Sequence, residues 1–211
     1  MTRIVAGTAR GRRLAVPPGN GTRPTSDRAR EALFSTVESI LVSLAGARVL
    51  DLYAGSGAVG LEALSRGADH ALLIEADARA ARTIRDNAES TSVTGAVVRT
   101  DRTERVVAGA APAAAYDLVF ADPPYDLADD RLRSVLTHLL DGGWLRPGTL
   151  VVVERSARGE EWRWPVGIDA DRSRRYGEGA LWYGRAAAPE TSSGQQQQTE
   201  INSHGGSGHE E

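Results

Sequence analysis

Apolar residues recur along this chain in two rhythms. Leu33, Phe34, Val37, Ile40, Leu41 and Leu44 form one continuous helical stripe, which Thr25 or Ser26 can cap and Gly46 can stop. From residue 48 on, short apolar runs alternate with amphipathic stretches. Strands are expected at 49–53, 71–76, 96–99, 118–121 and 149–154, and helices at 58–66, 77–90, 102–109 and 128–140. Strands that are apolar on both faces and separated by helices argue for an α/β fold, a mostly parallel sheet covered on both sides. The pattern then changes: residues 172–176 and 180–185 flank Gly177-Glu178-Gly179 and read as an antiparallel hairpin on the sheet edge. Upstream, residues 4–6 and 14–16 flank a Gly-bearing, Arg-rich turn, a short hairpin or two extended arms.

Three parts follow: a basic N-terminal arm (1–25), a folded domain (26–185) and a tail (186–211). The tail has four consecutive Gln and one aliphatic residue larger than Ala, Ile201, so disorder is expected there. With 211 residues, 41% hydrophobic and 25% charged, the composition is that of one ordinary globular domain. The absence of cysteine removes disulfide scaffolds, thiolate metal sites and cysteine nucleophiles. No apolar run approaches the roughly 20 residues of a membrane helix, and the N-terminus lacks a signal-like apolar stretch. A cytoplasmic monomer without membrane or metal is the expectation.

The net charge of -3 conceals an asymmetry. Residues 1–30 carry seven arginines (3, 10, 12, 13, 23, 28 and 30) against one acid, Asp27, while the tail has four Glu and no Arg. A cationic arm on an acidic body suits a polyanion, because neutralised phosphates release counterions; a solvated surface would look the same. The use of Arg for every basic residue carries no functional weight.

Gly55, Gly57 and Gly60 match G-x-G-x-x-G between an expected strand and helix, the context a nucleotide-binding loop requires. Glu75, at the end of the next strand, is near where a ribose-binding acid is expected. These features alone would suit a nicotinamide enzyme. Asp51 shifts the weight, because a carboxylate four residues before the first glycine would repel a pyrophosphate and attract a cationic ligand. S-adenosylmethionine brings an ammonium and a sulfonium, and Asp51, Glu75 and Asp101 would together make a coherent pocket for it.

At the end of the fourth strand stands Asp122-Pro123-Pro124-Tyr125. Prolines stiffen the backbone and remove N–H groups that would otherwise occupy nearby carbonyls. A nucleobase amine is a poor nucleophile because its lone pair is conjugated into the ring. If Asp122 and the Pro123 carbonyl accept its two N–H groups, the lone pair can turn toward an electrophile while Tyr125 stacks on the extruded base.

At these residues the sequence resembles amino-methyltransferases that use S-adenosylmethionine. The stretches 3–7, 11–14, 23–28, 31–34, 51–67 and 122–125 narrow the resemblance to the RsmD family, over residues 3–185. That resemblance implies a Rossmann-like class I methyltransferase sheet of seven strands, with residues 26–185 as the methyltransferase domain. It implies a cofactor site at Asp51, Tyr53, Ala54, Gly55, Ser56, Gly57, Glu75 and Asp101, and a catalytic segment at Asp122, Pro123, Pro124 and Tyr125. It implies N2 methylation of a guanine in 16S ribosomal RNA, within the small subunit or an assembly intermediate. Arg3, Arg10, Arg12, Arg13, Arg23 and Arg28 are the expected RNA contacts.

A DNA amino-methyltransferase acting on adenine N6 or cytosine is the nearest rival, since the clamp names no base. A small-molecule methyltransferase leaves the arm unexplained, and a non-catalytic RNA-binding module leaves Asp51, Glu75 and residues 122–125 unexplained. Trp144, Trp162, Trp164 and Trp182 read as packing residues, Phe34 as core and Glu62 as helix support. The four histidines have no metal-ligand spacing.

Overall fold

The computed structural model describes residues 2–17, 27–110 and 112–188. In chain order the elements are β1 (Thr2–Arg3), β2 (Arg13–Leu14), α1 (Asp27–Leu41), β3 (Arg48–Asp51), α2 (Ala58–Ser65), β4 (His70–Glu75) and α3 (Ala78–Thr91). There follow β5 (Ala96–Thr100), α4 (Thr103–Val107), β6 (Tyr116–Ala121), α5 (Asp129–Asp141), β7 (Leu145–Ser156), β8 (Ile168–Tyr176) and β9 (Gly179–Ala186). Arg23 and the expected caps Thr25 and Ser26 lie outside the described residues, as do the boundary at residue 25 and most of the tail.

β3 to β9 form one seven-stranded sheet in the order β5-β4-β3-β6-β7-β9-β8. The first five strands run parallel to their neighbours. The last strand, β9, inserts antiparallel between β7 and β8, so β8 is one edge of the sheet and β5 the other. Alternation along the strands feeds two cores. Val49, Leu73, Phe120 and Val152 face α1, α2 and the arm, and Leu50, Ile74, Val119 and Val153 face α4 and α5. Trp144 and Trp162 are buried in the second core, with Trp144 stacked on Tyr116.

α1 stops at Leu41 rather than running to Gly46, because Val42 takes a left-handed backbone with φ 66°. Leu44 still reaches the core from the following turn. α3 begins where Asp77 caps it, accepting from the Arg79 and Ala80 backbone N–H groups at 2.8 Å each. Among the described residues no helix is long and apolar enough to cross a membrane, and no cluster of metal-ligating side chains occurs.

Strand order reverses at β3, with β4 on one side and β6 on the other. In an open parallel sheet the crevice beyond the strand C-termini at this point is where ligands bind. The glycine loop leaves β3 there and the proline corner leaves β6, which is its immediate neighbour.

Candidate active site

The glycine loop is fixed from both sides. Leu52 N–H donates to Phe120 O at 3.0 Å and Ala54 N–H to Ile74 O at 2.9 Å. Its glycines answer different needs. Gly57 has φ 78°, and a Cβ there would lie 2.9 Å from Ile84 on α3; one on Gly60 would meet Leu73 at 2.7 Å. Those two permit close packing. Gly55, also left-handed at φ 56°, has no atom within 4 Å of where a Cβ would be, so its backbone borders open space.

Asp51, the last residue of β3, is 1% exposed. Its Oδ2 accepts from Gly60 N–H at 3.1 Å, whereas Oδ1 is buried with no hydrogen-bond partner. Burial pushes the carboxyl up to about 7; the Gly60 N–H opposes this and the charge of Glu75 adds to it. Glu75 is oriented by two backbone donors, Gly55 N–H at 2.9 Å and Asp77 N–H at 2.8 Å. Asp101 N–H bonds Glu75 O at 3.1 Å, and the Asp101 carboxylate accepts from Arg102 N–H at 2.8 Å while pairing with Arg105 at 3.3 Å. Tyr53 turns toward the core beneath α4 and α5, and its phenol is pushed up by burial and by Glu104. Ala54 is buried, and Ser56 O accepts from Asn87 Nδ2 at 2.9 Å.

Asp122 follows the last residue of β6. The registers Asp51 with Phe120 and Ala121 with Val153 bring it between Asp51 on β3 and Glu154 on β7. Val49, Phe120 and Val152 share one core, and two residues beyond them come Asp51, Asp122 and Glu154. The period of two therefore raises all three carboxylates on the same face. Burial, then Glu154, then Asp51 hold the Asp122 carboxyl well above the usual carboxylate range, and Arg155 opposes them. Arg155 is engaged elsewhere, with Leu127 O at 2.8 Å and Asp129 at 2.6 Å. Pro124 O is occupied by Leu127 N–H at 2.9 Å. Among the described residues, the Asp122 carboxylate and the Pro123 carbonyl accept no hydrogen bond, leaving two acceptors at a rigid corner. Tyr125 is 63% exposed beside them.

The arm is a hairpin docked on the domain. Glu62 of α2 accepts from Val5 N–H at 2.7 Å and Ala6 N–H at 2.9 Å. Ser65 O accepts from Thr8 N–H at 2.8 Å, and Ser65 Oγ from Ala9 N–H at 2.9 Å. The fit requires Gly7, since a Cβ there would lie 1.7 Å from Ser65 O. Arg10, Arg12, Arg13 and Arg28 are exposed, and Arg3 pairs with Asp27 at 3.2 Å. Arg30 corrects the arm's charge count. It is fully buried, donates to Thr2 Oγ1 at 3.1 Å and Asp27 at 2.9 Å, and lies 3.5 Å from Glu62. It holds the arm to the domain and presents no charge to solvent.

Glu154, Asn87 and the Arg30–Glu62 pair were not singled out as a site from sequence. Glu154 carried a signal, an acid closing a strand as Asp51 closes its own. Glu62 carried another, the one charge in a helix of otherwise uncharged, mostly apolar residues.

The family described as conserved hypothetical protein 95 matches residues 2–185. Ribosomal RNA small subunit methyltransferase D of Escherichia coli K12 is 39% identical over 153 residues, 72% of this chain and 73% of that one. The protein of the same name from Haemophilus influenzae is 32% identical over 154 residues, 72% of this chain and 77% of that one. A solved structure of the Escherichia coli protein yhhF superposes with TM-score 0.76 at 34% identity, covering 89% of this chain and 99% of that one. A hypothetical protein of Thermus thermophilus gives TM-score 0.70 at 33% identity over 87% and 98%. The fold is that of the class I methyltransferases.

Proposed function

The chain is a member of the conserved hypothetical protein 95 family, the RsmD family, and on that premise we propose that it methylates the exocyclic N2 amine of a guanine in small-subunit ribosomal RNA. The observation that carries this reading is the adjacency of two strand ends. The glycine loop and its acids leave β3, and the proline corner leaves β6 beside it. S-adenosylmethionine fits the first of these. The buried, unpartnered Asp51 Oδ1 suits a cationic group, Glu75 is presented for ribose hydroxyls, and Gly55 keeps the loop open. When bound, that cofactor supplies a methyl group activated by a sulfonium.

The chain's own residues do the rest. The Asp122 carboxylate and the Pro123 carbonyl accept the two amine N–H groups, turning the nitrogen lone pair out of the base plane toward the glycine loop. Tyr125 offers its exposed ring for the base to stack on. Asp122, with its proton affinity raised by burial, Glu154 and Asp51, accepts the proton the nitrogen sheds once substituted. Arg3, Arg10 and Arg28 line a groove of about 730 Å³ under the arm; with Arg12 and Arg13 beside it, they contact RNA phosphates.

The test is transfer of a labelled methyl group to methyl-deficient small-subunit particles, to free 16S RNA and to duplex DNA, followed by nucleoside mass spectrometry. N2-methylguanosine in RNA is the expected product. Labelled N6-methyladenine or methylcytosine in DNA would replace this reading with that of a DNA amino-methyltransferase.

A further inference from the structure

One buried side chain touches both the arm and the glycine loop. Asn87 of α3 is 2% exposed. Its Oδ1 accepts from Ala15 N–H at 2.8 Å, and its Nδ2 donates to Ala15 O and to Ser56 O, each at 2.9 Å. Ser56 stands between Gly55 and Gly57, and Ala15 directly follows β2, which begins with Arg13. The amide thus uses both donors and one acceptor, and two of the three bonds go to one arm residue. Its orientation is fixed by the arm, and the loop is fixed by it. Ile84, one turn earlier on α3, packs against the place where a Gly57 side chain would be.

We propose that Asn87 is a positioning residue that makes the N-terminal arm part of the cofactor site, so that RNA held by the arm and cofactor held by the loop strengthen each other's binding. The first half needs no RNA: an arm that cannot hold Asn87 leaves the Ser56 carbonyl without its donor and the loop less well formed. The second half rests on the arm being the RNA-binding element, as read above. Phosphate contacts at Arg12 and Arg13 order the backbone that Asn87 grips, and linkage requires any such effect to be reciprocal.

Two full-length variants separate this from simple loss of structure. Asn87→Asp keeps the acceptor for Ala15 N–H but replaces Nδ2, which carries both donated hydrogens, with an oxygen that faces two carbonyls. Ala15→Pro leaves the Asn87 side chain untouched and removes the Ala15 N–H, at an exposed position directly after β2. Binding of S-adenosylhomocysteine is measured by calorimetry alone and with a saturating 16S RNA fragment. Binding of that fragment is measured with and without the ligand.

Both variants are expected to bind the ligand about 3–10-fold more weakly without RNA, the worth of one or two hydrogen bonds. In the parent, RNA should tighten ligand binding about fivefold or more, and the variants should lose most of that ratio. Unchanged ligand affinity in Ala15→Pro overturns the claim that the arm shapes the cofactor site. Weaker affinity with the parent's RNA ratio overturns the linkage. A parent protein that binds the ligand but not the RNA fails the RNA reading and leaves the first half standing on the RNA-free measurement.

Discussion

Two carboxylates are buried almost completely, Glu62 on α2 and Asp51 at the end of β3, and they are treated oppositely. Glu62, 0% exposed, accepts from two arm N–H groups, pairs with Arg66 at 2.9 Å and lies 3.5 Å from Arg30. Asp51, 1% exposed, has one backbone donor and an oxygen with no partner. A buried charge costs several kcal/mol unless paired and hydrogen-bonded. The arm junction meets that cost internally and so is structural. The end of β3 leaves it unmet, with Asp122 and Glu154 adding like charge on the same face. A buried carboxylate with one unpartnered oxygen, as at Asp51, suits a site for a cationic ligand.

The comparison breaks most visibly where the acids are removed. Asp122→Ala should lower turnover by about 10²–10⁴-fold, the range for a positioned proton acceptor, while S-adenosylhomocysteine affinity stays within about twofold. Comparable losses in kcat and ligand affinity would move Asp122 from the clamp into the cofactor pocket. Glu62→Ala should instead act on stability, leaving buried Arg30 with Asp27 as its remaining carboxylate and the Val5 and Ala6 N–H groups without their acceptor. Breaking a buried pair costs about 3–5 kcal/mol. In a domain of this size that is a fall in Tm of about 6–20 °C by calorimetry. A fall under about 3 °C would mean that the Ser65 and Asn87 bonds hold the arm without Glu62.

The contrast also explains what sequence could and could not reveal. Parallel strands and glycine loops announce themselves, because apolar runs and left-handed turns are local requirements. Gly55, Gly57 and the strand ends at Asp51 and Asp122 were legible for that reason. That the two ends lie side by side depends on strand order, which periodicity alone does not encode. Arg30 was counted with the exposed arm because its burial depends on Glu62, a residue of a different helix. Asn87 gave no signal, since an amide on a polar helix looks the same whether it faces water or clasps two backbones. Glu154 falls between these cases: its strand was expected, but its company of acids appears only once β7 is laid against β6.

Asp51→Asn sharpens the comparison through pH. In the unfolded chain its carboxyl ionises near the ordinary 3.8, whereas in the fold it holds its proton up to about 7. Between those values the native state binds more protons, so the ligand-free protein loses stability as pH rises from about 4 to about 7, and the loss levels off above. The variant should flatten that slope and be more stable at pH 8 by up to about 4 kcal/mol. Cofactor affinity should move the other way, rising in the parent through pH 7 as the carboxylate ionises and falling in the variant at all pH values. Denaturation midpoints and calorimetric affinities across pH 5–9 measure both. A variant that loses stability as well as affinity would make Asp51 a structural acid like Glu62.

The smallest effect tests the other side of the contrast, the charges that face solvent. Arg10, Arg12 and Arg13 are exposed on the same hairpin that buried Arg30 anchors. Replacing all three by Ala should leave stability within about 0.5 kcal/mol, as surface changes usually do. If each meets a phosphate, the dependence of log K on log salt for the RNA fragment should become shallower by about 0.7 per contact on single strands and 0.9 on duplex. Three contacts therefore predict a change of about 2–3 in slope with the Tm unmoved. Arg30→Ala should do the reverse, lowering Tm with no direct loss of a phosphate contact, provided RNA binding is measured at a temperature where the variant is folded. Equal slopes in the triple variant and the parent would put the RNA elsewhere, because exposed arginines that released no counterions on binding would be touching only water.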